Sequence, residues 1–210
     1  MRKLSIQLPR FVLAIFASCL LSQAYAQDIV LGQSVPLSGS VADVGRDMRD
    51  GALAVFAKLN NSGGVGGRKI KLISLDNVNN RAKALENTRQ LLDNESVAAL
   101  FGYNSATTSL DALPLLRQND MALFAPFTGS PSARDHDHVF TVRASYLDEA
   151  AKIVDVMKST GLSKGAIIYY DDEAGKSNVQ IVSGAFTGDP RPRVLAVKRN
   201  VKLGAAEFAA

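Results

Sequence analysis

The chain has no tryptophan, one cysteine and two histidines among its 210 residues. One thiol cannot close an intrachain disulfide. Cys19 also falls inside an N-terminal stretch that reads as a removable signal, so thiol chemistry and a cystine framework are excluded from the remainder. His136 and His138 lie together in one polar run, Asp135-His136-Asp137-His138. No further histidine or cysteine is at hand to complete a closed zinc site, so the run reads as solvated surface. A Gly-x-Ser-x-Gly elbow, a His-Glu-x-x-His motif and a phosphate-binding P-loop are all missing. An excess of one charge is missing too. Of the 24 basic residues, Arg2, Lys3 and Arg10 belong to the N-terminal stretch, and the remaining 21 stand against 20 acidic ones. That balance gives no footing for a nucleic-acid partner. Beyond residue 26 no apolar run is long enough for a transmembrane helix.

What is present begins with that stretch. The three cations precede Phe11 to Leu21, an apolar core too short to span a bilayer, and Ala24-Tyr25-Ala26 offers small residues at a cleavage site. The expectation is a signal peptide over residues 1–26, cleaved after Ala26. Phe16-Ala17-Ser18-Cys19 is a weak version of a lipoprotein box, which leaves lipid attachment at Cys19 as the alternative.

The rest alternates strand and helix patterns. Strands are expected over Ile29–Val35, Lys69–Asp76, Val97–Phe101 and Met121–Ala125, with a short extended piece at Val139–Arg143. Helices are expected from about Asp43 to Asn60, Arg81 to Asn94 and Thr107 to Gln118. In the first helix Met48, Ala52, Val55, Phe56 and Leu59 share one face. A second set follows: a helix over Asp148–Thr160 with Ala151, Val154 and Met157 inward, a strand Gly165–Tyr170, a helix Ser177–Phe186 and a strand Arg193–Lys198. From Leu203 another helix pattern starts. This order predicts an α/β protein with helix-covered parallel sheet. It divides into residues 27–143, a first, ligand-binding lobe, and 144–210, the start of a second lobe too small to complete a sheet.

Three strands break into loops of Ser, Thr, Gly and Pro before a helix: Pro36-Leu37-Ser38-Gly39-Ser40, Asn104-Ser105-Ala106-Thr107-Thr108-Ser109 and Pro126-Phe127-Thr128-Gly129-Ser130. In a parallel sheet such loops gather at the carboxyl ends of the strands, where ligands bind, and helix N-termini there favour anions. Ser and Thr are also ordinary helix caps, so each loop alone carries little. Gly63-Gly64-Val65-Gly66-Gly67 follows a helix and precedes a strand. A dinucleotide loop has the reverse context, so these glycines read as a helix stop and a tight turn. Asp171-Asp172-Glu173 could serve acid–base work, bind an ammonium group or favour a helix N-terminus.

Taken together, several stretches resemble the extracytoplasmic solute-binding proteins of ABC importers, in the branched-chain amino-acid (Leu/Ile/Val) group. They are Ile29 to Gly39 (IVLGQSVPLSG), Asn60 to Ile70 (NNSGGVGGRKI), Phe101-Gly102-Tyr103, Ala112-Leu113-Pro114-Leu115-Leu116, Leu123 to Gly129 (LFAPFTG) and Val142 to Tyr146 with Asp148-Glu149. The resemblance implies a type I periplasmic-binding-protein fold, two parallel-sheet lobes that close on a solute like a hinge. It implies that Ser105, Ala106 and Thr107, with Phe127, Thr128 and Gly129, hold an amino acid's carboxylate and ammonium groups. Tyr146 would line the cleft near the hinge, and Asp172 would face it from the second lobe. It further implies a periplasmic location, an inner-membrane ABC permease as partner, no cofactor, no metal and no enzymatic activity. Glu173-Ala174-Gly175 and Val44-Gly45 lack aromatics that amino-acid binders of the group carry, and Ala106 stands where a hydroxyl is common. The solute is therefore left open between amino acids, amides, aromatic acids and other small carboxylates. The strands and helices that finish both lobes are missing, so the chain is expected to be C-terminally truncated and to bind weakly or not at all. The alternatives are a secreted α/β hydrolase, a ligand sensor without a transport role, and an inactive short product.

Overall fold

The computed structural model describes residues 27–134, 136–170, 173–186 and 193–200. The signal-peptide reading, Cys19, Asp172 and the helix pattern from Leu203 lie outside them.

The first sheet contains β1 (Ile29–Val35), β2 (Ile70–Asp76), β3 (Val97–Phe101), β4 (Leu123–Phe124) and β5 (Val139–Phe140). All neighbours are parallel, in the order β2-β1-β3-β4-β5. Parallel neighbours cannot be joined by tight turns, so each connection carries a helix. These are α1 (Ala42–Asn61), α2 (Arg81–Leu92), α3 (Ala106–Gln118) and α4 (Pro131–Arg134). α4 is a short helix that the periodicity does not reveal. The strand order reverses at β1, which opens a crevice between the carboxyl ends of β1 and β3. The three Ser/Thr-rich loops leave β1, β3 and β4, which are consecutive in the sheet. They therefore lie along one edge rather than scattered over the surface.

The core lies under α2 and α3. Leu91, Val97, Leu100, Tyr103, Ala112, Leu113, Leu116, Leu123 and Val139 form one buried cluster. The Tyr103 hydroxyl is 2.9 Å from Thr88 Oγ1, whose own hydroxyl donates to the Ala84 carbonyl, and burial pushes the phenol's pKa up. The sheet also buries polar groups that satisfy one another. Gln33 accepts from the Ser74 hydroxyl at 2.8 Å, and Asn87 donates to the Asp76 carbonyl at 3.0 Å. The glycine run is a helix stop and turn: Gly64 N–H donates to the Leu59 carbonyl, and Val65 and Arg68 bond each other across Gly66 and Gly67, both at positive φ.

Two faces differ from the sequence reading. In α1 the stripe is only partly covered. Phe56 packs edge-on to Phe101 at 5.6 Å, while Val55 and Leu59 are 56% and 38% exposed. Among the described residues no further layer lies over that side of the helix. In α5 (Tyr146–Ser159) the buried positions are Ala150 and Val154, and Ala151 is exposed. This helix starts two residues earlier than expected, under a capping box in which Ser145 and Asp148 satisfy each other's backbone N–H groups.

The second sheet is β6 (Lys164–Tyr170) and β7 (Arg193–Asn200), parallel, joined through α6 (Glu173–Ala185). Its described core is small: Ala150, Val154 and Ala185, with Val182 and Phe186 against them.

Candidate functional site

The loop after β1 is tied down by one carboxylate. Asp76, at the end of β2, accepts from the Leu37 amide at 2.8 Å, the Ser38 amide at 3.3 Å, the Val78 amide at 2.8 Å and the Ser38 hydroxyl at 2.5 Å. Burial alone would raise this carboxyl. The Ser38 hydroxyl and the amides of Leu37, Val78 and Ser38 outweigh it, and the pKa falls from 3.8 to about 2. Gly45 completes the lock, because a Cβ there would sit 1.9 Å from the Pro36 carbonyl oxygen. The Ser38 hydroxyl is thus engaged in structure.

The loop after β3 opens α3. Ser105 is its N-cap: the side chain accepts from the Thr108 amide at 3.1 Å, and its carbonyl accepts from the Ser109 hydroxyl at 2.8 Å. Ser105 therefore caps the helix, and Ala106 and Thr107, in the first turn, line a cleft of about 250 Å3. Ser130 and Ser132, around the start of α4, line it as well, with their hydroxyls 2.9 Å apart. From the second lobe come Ser177 and Asn178 of α6. Arg81 and Leu110 complete the described wall. Arg81 opens α2 and forms a two-point ion pair with Asp111 of α3, one contact being Nη2 to Oδ1 at 2.6 Å.

The other expected residues gather elsewhere. Thr128 is fully buried, and its hydroxyl accepts from the Ser130 amide at 3.1 Å. Gly129 passes directly beneath Tyr146: a Cβ would lie 2.6 Å from the ring, and the Gly129 carbonyl accepts from the Tyr146 amide at 2.9 Å. Phe127 is half-exposed, with the Arg143 guanidinium 4.8 Å from its ring centre and 5.3 Å from that of Tyr146. Glu149 holds Arg143 in place through bonds of 2.7 and 3.0 Å. Phe127, Gly129 and Tyr146 thus form a cluster around Arg143 where the chain leaves the first sheet. Ala106 and Thr107 face the cleft, and Thr128 ties the β4 loop to the residue that lines it.

Sequence reasoning missed Arg81, Ser132, Ser177 and Asn178, and it marked Ser130 only as part of the loop after β4. Arg81 and the α6 pair lie near helix starts that follow the carboxyl ends of β2 and β6. The strand-end rule, applied to those ends as well, would have pointed to them. Among the described residues no three His, Cys, Asp or Glu side chains come together as a metal site, and no helix is long and apolar enough to cross a membrane. His136 Nδ1 lies 2.8 Å from an Arg117 nitrogen.

Comparison with known proteins agrees with this architecture. Residues 28–210 match a family model described as periplasmic binding protein. The Leu/Ile/Val-binding protein homolog 7 of Brucella suis biovar 1 is 27% identical over 181 residues, covering 80% of this chain and 45% of its own. An extracellular ligand-binding receptor from Verminephrobacter eiseniae superposes with a TM-score of 0.79 at 26% identity, over 87% of this chain and 52% of that one. A substrate-binding periplasmic protein from Ralstonia solanacearum gives 0.76 at 26% identity, over 83% and 50%. The chain spans about half the length of these solved relatives and less than half of the curated one. With its parallel β2-β1-β3-β4-β5 sheet and a cleft at the strand ends, the chain belongs to the periplasmic binding protein family.

Proposed function

We propose that this chain is the solute-receiving part of a periplasmic receptor that passes a small carboxylated molecule, such as an amino acid, to an inner-membrane ABC permease. The lobes are residues 27–143 and 144–210, and no bond of the solute is made or broken. The observation that carries the reading is the cleft at the carboxyl edge of the first sheet, walled by α3 and the α4 region on one side and by α6 on the other. The names of the curated relatives, Leu/Ile/Val-binding protein homologues, support the class of solute.

Physical chemistry supplies the division of labour. The first turn of α3 has backbone N–H groups without helical partners, and its positive end attracts a carboxylate. That attraction contributes about 0.3–2 kcal/mol, whereas micromolar affinity requires roughly 8 kcal/mol. One lobe therefore captures the solute only loosely, and affinity comes from closure of the second lobe, which Ser177 and Asn178 represent in the cleft. A solute that contacts both lobes shifts the population toward the closed form, and that form is the signal for the permease.

The test is Ala106→Glu. A carboxylate in the first turn of α3 suits the helix dipole, so the fold should be kept or slightly stabilised. The same charge repels a solute carboxylate. Binding of L-glutamate or L-leucine, read by calorimetry or NMR, should fall at least about tenfold, or 1.4 kcal/mol. Unchanged binding would remove α3 from the site.

A further inference from the structure

The cleft has a wall on each lobe, so its width depends on the angle between them. The chain crosses from β5 into α5 through residues 141–145. Lobes joined by a short crossing pivot there unless neighbouring contacts hold them. Arg143 stands in that crossing, and its partners belong to both sides.

On the first-lobe side, Phe127 is anchored to the core. Its amide donates to the carbonyl of the fully buried Tyr103 at 2.7 Å. The Phe127 ring lies against the Arg143 guanidinium, 4.8 Å from ring centre to Cζ. Arg134 of α4 donates to the Arg143 carbonyl. On the other side stands the first turn of α5. The guanidinium is 5.3 Å from the Tyr146 ring centre, and its Nε and Nη2 donate to the two Glu149 carboxylate oxygens at 2.7 and 3.0 Å. Such a two-point pair fixes the plane of the guanidinium.

The backbone bond from the Tyr146 amide to the Gly129 carbonyl, 2.9 Å long, holds the start of α5 at the β4 loop. One hydrogen bond fixes a point and leaves the direction of the helix free. A contact away from that point is needed to fix the direction, and the stack of Arg143 on Phe127 is one. The ion pair with Glu149 spans only residues 143–149, so it ties Arg143 to α5 rather than one lobe to the other. Further along α5, Ala150 and Val154 pack with Val182, Ala185 and Phe186 at the end of α6. Ser177 and Asn178, earlier in α6, line the cleft. A tilt of α5 about its first turn therefore moves that wall.

We propose that Arg143 is a positioning residue: bonded to Glu149 and stacked on Phe127, it sets the angle of α5 to the first sheet and so the resting width of the cleft. This deepens the receptor reading above, which supplies the reason for a cleft of set width. The cationic stack needs an aromatic face at position 127 and a cation at position 143.

The experiment measures the angle without any solute, so its failure and that of the receptor reading are separate. The 210-residue chain carries spin labels at Gln118→Cys on α3 and Gln180→Cys on α6, both exposed, with Cys19→Ser removing its one native thiol. Pulsed spin-resonance distances should give one narrow peak. Arg143→Gln should raise the share of pairs outside that peak roughly two- to tenfold. Phe127→Leu, which keeps the bulk but not the ring, should do the same, while Phe127→Tyr, which keeps the aromatic face, should leave the peak narrow. If Arg143→Gln does not fold, the two Phe127 variants decide. A broad distribution in the parent chain, an unchanged peak in Phe127→Leu, or equal broadening by Leu and Tyr overturns the inference.

Discussion

The two lobes differ in how much they hold themselves together. The first wraps a five-stranded sheet around a nine-residue buried cluster and pairs buried Gln33 with Ser74 and Asn87 with the Asp76 carbonyl, while the buried Asn104 Oδ1 has no hydrogen-bond partner among the described residues. The second has two strands and a described core of Ala150, Val154 and Ala185, with Ile153, Val156 and Ile168 half-exposed. A preformed half-site therefore belongs to the first lobe, while the second contributes its wall without a comparable core behind it. The loops of the first lobe show the same contrast on a smaller scale. The β1 loop is locked by Asp76 and Gly45, while the segments after β2, β3 and β4 present Arg81, Ala106, Thr107, Ser130 and Ser132 to the cleft.

The largest expected effect sharpens the contrast between cores. Leu100→Ala should cost about 2–5 kcal/mol in chemical denaturation of the first lobe. Val154→Ala should cost about 1.5 kcal/mol, the transfer of two methyl groups, and should leave first-lobe amides protected in hydrogen exchange. Equal costs and equal loss of protection would mean that the lobes fold as one unit. Next comes Gly45→Ala, which forces a methyl against the Pro36 carbonyl and should destabilise by about 3 kcal/mol. A neutral result would show that the start of α1 is not locked to the β1 loop.

Thr128→Val removes the acceptor for the buried Ser130 amide and should cost about 1–3 kcal/mol of stability. Its effect on solute binding should be the smaller one, because the hydroxyl faces Ser130 rather than the cleft. A large loss of affinity at unchanged stability would reassign Thr128 to direct contact. The Asp76 lock gives a pH signature. Its folded pKa lies below the unfolded one, so the contribution is complete above about pH 4 and fades as pH falls toward 2. For this partly exposed group the amount is about 1–2 kcal/mol. Asp76→Asn should flatten that part of the acid limb in urea melts collected between pH 2 and 5.

Long elements were legible in the sequence because their periodicity was strong. β1, β2, β3 and the helices between them follow from apolar spacing and from Gly and Asn stops. β4 was read as a strand over Met121–Ala125 and spans only Leu123–Phe124, while α4, at four residues, is too short to carry a period. The α1 stripe was legible as amphipathic, but its partner was not, since burial depends on what else packs there. In the cleft wall, Ala106 and Thr107 belong to a loop that the strand-end rule marks, and the family resemblance singled them out. Ser105 and Thr128 obey the same rule, yet their hydroxyls serve a helix cap and a loop bond, a distinction made only by geometry. Arg81 looked like one more outward charge on α2 until its pairing with Asp111 placed it at the cleft.

The central claim is that the first turn of α3 takes a carboxylate between the two lobes. Amide-resolved NMR of the 210-residue chain, titrated with L-glutamate and with L-leucine, tests it most directly. The account predicts the largest shifts at Ala106, Thr107, Ser130 and Ser132, with smaller ones at Ser177 and Asn178. Shifts centred instead on Phe127, Arg143 and Tyr146, with α3 silent, would contradict it.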